Sequence, residues 1–130
     1  MTFQGCRNGA ALQISRVPMV TINASNFINN GRLYHSTGRA IHVSRSNIII
    51  NKSFFNNNIA HYDQGGAIYA QYSNVTIENS ELSNNYASYS GGAIYMNQNE
   101  NRNFALLIHA AVLYENRCGG SGGATSIYSK

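Results

Sequence analysis

Gly65-Gly66-Ala67-Ile68-Tyr69 recurs residue for residue as Gly91-Gly92-Ala93-Ile94-Tyr95, and a shortened copy stands at Gly122-Gly123-Ala124. Gly38-Arg39-Ala40-Ile41 and Gly9-Ala10-Ala11-Leu12 are divergent copies upstream. The alanines of the five copies, Ala11, Ala40, Ala67, Ala93 and Ala124, are 29, 27, 26 and 31 residues apart. A period between about 20 and 50 residues marks one supersecondary unit stacked on itself. Few folds satisfy that constraint, and the residues between the anchors narrow the choice.

The positions one and three after each anchor are apolar in the first four copies: Leu12 and Ile14, Ile41 and Val43, Ile68 and Ala70, Ile94 and Met96. The position between them is Gln13, His42, Tyr69 or Tyr95. This alternation describes a short strand with one buried face. A second alternating pair follows: Val20 and Ile22, Ile48 and Ile50, Val75 and Ile77, Leu106 and Ile108. Five residues later comes one more large apolar residue, Phe27, Phe55, Leu82 or Leu113. Three residues beyond that stands an asparagine: Asn30, Asn58, Asn85 or Asn116. No capped segment of 3.6-residue periodicity competes. The pattern predicts an all-β fold, a right-handed parallel β-helix of about four to five rungs with two or three strands each; the right hand follows from crossover chirality. The four asparagines are expected to form a structural ladder at a turn. Asparagine tolerates left-handed backbone, and its amide can donate to one neighbour while accepting from the other.

At 130 residues the chain holds one domain. Only 11% of its residues are charged, against about a quarter in typical domains. Its polarity comes instead from Asn, Ser, Gly and Tyr, a folded rather than a disordered profile. The net charge is +4 and the basic residues are scattered, so no nucleic-acid partner is expected. No stretch approaches the ~20 apolar residues of a membrane span. The chain begins and ends inside a repeat, which leads us to expect a module of something longer that is marginal alone or associates through open solenoid ends.

Cys6 and Cys118 share a phase of the repeat and should lie four rungs apart, about 19 Å at ~4.8 Å per rung. A disulfide needs Cα atoms within roughly 7 Å, so none is expected between them. Two departures from the period stand out. The connection from Met96 to Leu106 is longer than its counterparts, so Asn97–Asn103 is expected to bulge as a polar loop. Leu107 and Val112 place apolar side chains at outward phases, where the loop or a partner would cover them.

These motifs resemble the polymorphic outer-membrane protein repeats of chlamydial surface proteins, marked by Gly-Gly-Ala-Ile and Phe-x-x-Asn. Gly65–Ile68 and Gly91–Ile94 match the first motif; Phe27–Asn30 and Phe55–Asn58 match the second. Leu82–Asn85 and Leu113–Asn116 substitute Leu. The resemblance implies an extracellular or cell-surface adhesin module, carried to the surface by a translocating barrel that this chain does not contain.

Candidate sites follow from these phases. Tyr69 and Tyr95 should stack on the outer wall with His42 and Gln13 in the same row, while Tyr34, Tyr62 and Tyr89 recur before the glycines. Tyrosine rows beside amides suit sugar rings or protein contacts. With Asn97, Asn99, Asn101 and Arg102 of the expected loop they form the candidate surface for a host or cell-surface protein or glycan. Asn23, Asn51 and Asn74 head N-glycosylation sequons.

The five carboxylates, Asp63, Glu78, Glu81, Glu100 and Glu115, form no stacked cluster for acid–base work. We therefore expect no catalysis and no cofactor; a fragment of a polysaccharide-cleaving β-helix is the enzymatic rival. His35 and His61 fall near one phase but lack a third ligand, so no metal is expected.

Overall fold

The computed structural model describes residues 1–31, 39–98 and 104–129. It is a parallel β-solenoid of about four coils, with no helix among the described residues. Strand β1 (Thr2–Gln4) leads in. The first coil contains β2 (Leu12–Ser15), β3 (Met19–Asn23) and β4 (Asn26–Ile28). The second contains β5 (Ile41–Ser44), β6 (Asn47–Asn51), β7 (Phe54–Asn56) and β8 (Ile59–Ala60). The third contains β9 (Ile68–Gln71), β10 (Asn74–Glu78), β11 (Glu81–Ser83) and β12 (Tyr86–Ala87). The fourth contains β13 (Ile94–Gln98), β14 (Leu106–His109), β15 (Val112–Tyr114) and β16 (Arg117–Cys118), after which β17 (Thr125–Ser129) opens a fifth.

Strands of like phase pair in parallel, giving four sheets: β2-β5-β9-β13-β17, β3-β6-β10-β14, β1-β4-β7-β11-β15 and β8-β12-β16. The last sheet corrects the expected two or three strands per coil. Its strands are two residues long, too short for an alternating pattern to betray them, and pair Ile59 with Tyr86 and Tyr86 with Arg117.

The register joins residues one period apart. Leu12, Ile41, Ile68 and Ile94 pair in succession, as do Val20, Ile48, Val75 and Leu106. Their side chains fill one narrow core in which Ile41, Ile68, Ile94, Val75 and Ile77 are fully buried. Phe3, Phe27 and Phe55 stack along the axis with ring centroids 4.6 and 4.7 Å apart and planes within 6°. That separation is the strand spacing itself, so the ladder brings identical rings into contact.

The corners are made by single residues in the left-handed region. Arg16, Arg45 and Tyr72 turn the first corner, Ala24, Lys52, Asn79 and Ala110 the second, and Asn29, Asn57, Asn84 and Glu115 the third. The left-handed residue at the third corner is therefore the one before the ladder asparagine. The ladder residues are used for their amides. Asn30 Nδ2 donates to Asn58 Oδ1, Asn58 Nδ2 to Asn85 Oδ1, and Asn85 Nδ2 to Asn116 Oδ1, each at 2.9 Å. The same oxygens accept the backbone N–H groups of Asn30, Asn58 and Asn85. Each Nδ2 also reaches back one coil, as from Asn58 to the Phe27 carbonyl at 3.0 Å.

Serines do similar work at the other corners. The Ser53 hydroxyl accepts from the Ser25 N–H, Ser80 from Ser53, and Ser73 from Ser46. Each hydroxyl donates to the carbonyl two residues earlier. The recurrence of serine at these intervals was readable in the chain, and the apolar pattern drew attention away from it.

Two glycines precede β9, β13 and β17, the first strands of the last three repeats. Gly65, Gly91 and Gly122 take φ between 63° and 73°, a region most residues avoid. A Cβ on Gly66 would lie 2.5 Å from the Tyr86 carbonyl oxygen and closer still to that of Gly92. At Gly66 and Gly92 the second glycine is thus required by close approach of the neighbouring coil.

Asn97 is not in a loop. It continues β13, pairing with Gln71 on one side and Tyr128 on the other. The strand simply runs longer here, and the remainder of the expected bulge, including Asn99, Asn101 and Arg102, lies outside the described residues. Leu107 and Val112 are exposed, and no described segment covers them. Cys6 and Cys118 are free thiols.

Candidate functional site

The outward face of β2-β5-β9-β13-β17 carries the expected row. Gln13, His42, Tyr69, Tyr95 and Ser126 pair in register, and Ser15, Ser44, Gln71, Asn97 and Tyr128 form the row beside it. Tyr69 and Tyr95 stack at 5.5 Å, and His42 meets Tyr69 edge-on at 5.1 Å. Tyr95 departs from expectation in being only 7% exposed. Its ring supports Tyr69 from the next coil instead of facing solvent, and burial raises its phenol above the ordinary value.

The centre of the site is an ion pair that the pattern of carboxylates did not reveal. Arg39, 4% exposed, bonds through Nη2 to Asp63 Oδ2. Its guanidinium lies 4.4 Å from the centroid of the Tyr69 ring, a cation–π contact. Asp63 also accepts from the Gln64 N–H through its second oxygen, at 2.8 Å.

One extra residue brings Asp63 to this position. Four residues, His61–Gln64, separate Ala60 from Gly65, whereas three, Ser88–Ser90, separate Ala87 from Gly91. The surplus is taken up where Tyr62 adopts φ 62°, a conformation no residue of Ser88–Ser90 takes. The strands on either side keep their register with the next coil. The alanine intervals of 27 and 26 differ by this single residue, so the signal was present in the spacing.

A groove of about 370 Å³ opens here, with Gly9 and Ala10 at one end and Gln13, Arg39, His42, Asp63, Tyr69 and Gln71 around it. Two buried polar atoms in this lining, Arg39 Nε and His42 Nε2, have no hydrogen-bond partner among the described residues. Burial pulls the Arg39 guanidinium below its ordinary value against the opposing pull of Asp63, and it stays protonated. His42 is also lowered, first by burial and then by the Arg39 charge, so its imidazole is neutral at pH 7. The lining therefore combines a compensated ion pair with neutral donors and acceptors.

The other expected residues lie apart from this groove. Tyr62 and Tyr89, each 52% exposed, sit on the connections leading into the glycines. They are not equivalent, because the extra residue puts the Tyr89 N–H opposite the Asp63 carbonyl. Asn23 and Asn51 pair on an outward face, with Asn79 continuing that row: Asn51 Nδ2 donates to Asn23 Oδ1 and Asn79 Nδ2 to Asn51 Oδ1. Asn74 donates to Asn47 Oδ1 and accepts from the Ala105 N–H. Tyr34 and His35 lie outside the described residues, and His61 packs 6.2 Å from Tyr86. Among the described residues no three of His, Cys, Asp or Glu come together as metal ligands.

Stacked in-register coils with a polar groove on one wall define a β-solenoid repeat module. Two of its segments, residues 52–71 and 79–97, match the Chlamydia polymorphic membrane protein (Chlamydia_PMP) repeat. Each matched segment runs from the second corner, through the Phe/Leu-x-x-Asn turn and the Gly-Gly restart, into the first strand of the next coil. These two segments are therefore similar to a repeat found in membrane proteins. Comparison with curated proteins and with solved structures returned no match.

Proposed function

We propose that this chain is a non-catalytic extracellular module acting in adhesion or surface structure, binding a host or cell-surface glycan or protein through its outer wall. The observation that carries this reading is the groove beside Tyr69, where buried polar atoms lack partners on a wall otherwise closed by ladder hydrogen bonds. The membrane-protein family of the repeat supports an exposed location. The carboxylates support the absence of catalysis: Asp63 is held by Arg39, while Glu81 is bonded by Tyr114 and Ser83. The test is attachment of chain-coated beads to cultured epithelial cells. Saturable attachment, blocked by free chain, is expected; attachment no greater than with albumin-coated beads overturns the reading.

A second reading, stacking of copies through edge strands, rests on Leu107, Ile108, Val112 and Ile127, all exposed. Ile108 and Ile127 pair with the buried Ile77 and Met96 one coil earlier. Sedimentation across a hundredfold range of concentration distinguishes it; a monomer throughout removes it.

A further inference from the structure

The groove carries more information than its position. Among the described residues its lining holds one cation and one anion, Arg39 and Asp63, which neutralise each other, and His42 is uncharged at neutral pH. A carboxylate or sulfate entering here would gain little net attraction and would compete with Asp63 for the guanidinium. The unmet demand is for hydrogen bonds: a guanidinium N–H and an imidazole nitrogen, both buried and unpaired among the described residues, in a lining shared with the Gln13 and Gln71 amides. An unpaired buried polar group is costly, and Arg39 is more than nine-tenths buried, so an occupant that supplies an oxygen is favoured.

We infer that the groove between Gln13, Arg39, His42, Asp63 and Gln71 is a binding site for an uncharged polyhydroxylated ligand, a neutral sugar residue at the end of a glycan. A sugar hydroxyl both donates and accepts. One hydroxyl can take the Arg39 N–H while donating to Asp63 or to His42, and vicinal hydroxyls match the paired donor and acceptor of a glutamine amide. At about 370 Å³ the groove lies at the small end of ligand clefts, which run from roughly 300 to 1,000 Å³, and suits one or two rings. The ring would enter at the groove's edge, because the Tyr69 faces already meet Arg39 and Tyr95.

This inference rests on the adhesion reading and names the ligand chemistry for it. Removing Arg39 or Asp63 would strand a buried charge and threaten folding, so the test uses the amides. Gln13 is exposed and Gln71 half-buried at the rim. Saturation-transfer NMR and calorimetry of the whole chain are run with neutral mono- and disaccharides, and with sialyllactose and a heparin disaccharide as anionic counterparts. Saturable binding of at least one neutral sugar is expected, weakened fivefold or more in Gln13→Ala and in Gln71→Ala with thermal unfolding unchanged. The anionic sugars should bind no tighter. Absence of any saturable neutral binding overturns the site, as does tighter anionic binding or binding indifferent to both substitutions. Bead attachment measured on the same variants separates the two readings: if no neutral sugar binds and the variants attach undiminished, the groove is wrong while adhesion stands. If sugar binds but no bead attaches, adhesion is wrong while the groove stands.

Discussion

Replacing Asn58 with alanine tests whether the ladder of amides holds the coils together. Asn58 is fully buried. Its Oδ1 accepts the Asn30 N–H at 3.2 Å and Asn30 Nδ2 at 2.9 Å, and its Nδ2 donates to the Phe27 carbonyl at 3.0 Å and Asn85 Oδ1 at 2.9 Å. Alanine removes all four bonds, but the groups left behind fare differently. Asn30 Nδ2 keeps the Phe3 carbonyl and Asn85 Oδ1 keeps the Asn58 backbone N–H. The Asn30 N–H loses its acceptor inside the protein. A stranded buried donor costs about 1–3 kcal/mol, and each net bond lost about 0.5–1.5 kcal/mol, so a destabilisation of about 3–5 kcal/mol is expected. The comparison is Asn51→Ala, in the exposed ladder whose bonds are 3.3 and 3.0 Å. There the loss should not exceed about 0.5 kcal/mol. Urea unfolding followed by far-UV circular dichroism gives both values. Because stacked coils can unfold in parts, exchange of the Asn30 amide proton is followed alongside, and its protection should collapse in Asn58→Ala alone. Equal losses in the two variants would refute the reasoning.

Gly66→Ala should leave no folded protein at 25 °C, because its Cβ would overlap two backbone oxygens. Gly123→Ala, whose Cβ would find its nearest neighbour at 3.8 Å, should melt within a few degrees of the parent; circular dichroism distinguishes them. Phe55→Ala removes the end of the ring stack from a fully buried position and should cost about 3–5 kcal/mol in urea unfolding. His42 titrates below its ordinary value of 6.5 when folded, so between pH 6.5 and that lower value the unfolded chain binds more protons. Stability should therefore fall as pH drops through this window and level off beneath it. His42→Gln should remove that segment of the stability–pH curve, and an unchanged curve would show that His42 does not cause it.

The core was legible because stacking makes it repetitive. Ile41, Ile68 and Ile94 occupy one phase in the chain and one column in the fold, and the Asn30–Asn116 ladder follows from the same regularity. Strands β8, β12 and β16 were not legible, since two residues show no period and Ile59, Tyr86 and Arg117 share no chemistry. Half of the site was visible: Tyr69 and His42 stand on the predicted row. Arg39 and Asp63 were missed for a physical reason. They meet across two coils because a connection gained a residue, and a search for repeated positions discards what does not repeat. Tyr95 was placed at the right phase but misjudged in exposure, because the strand pattern says which way a side chain points and not what lies over it.

That surplus residue in His61–Gln64 has a consequence for how such a wall changes over generations. Gly65 and Gly66 resume the strand in phase although one more residue precedes them than precedes Gly91 and Gly92, so this insertion alters one patch of surface and leaves the neighbouring strands in step. The connection ahead of each glycine pair is a place for variation, set off from the strand that follows it. A lineage under pressure to present new exteriors could diversify at these connections with its interior unchanged.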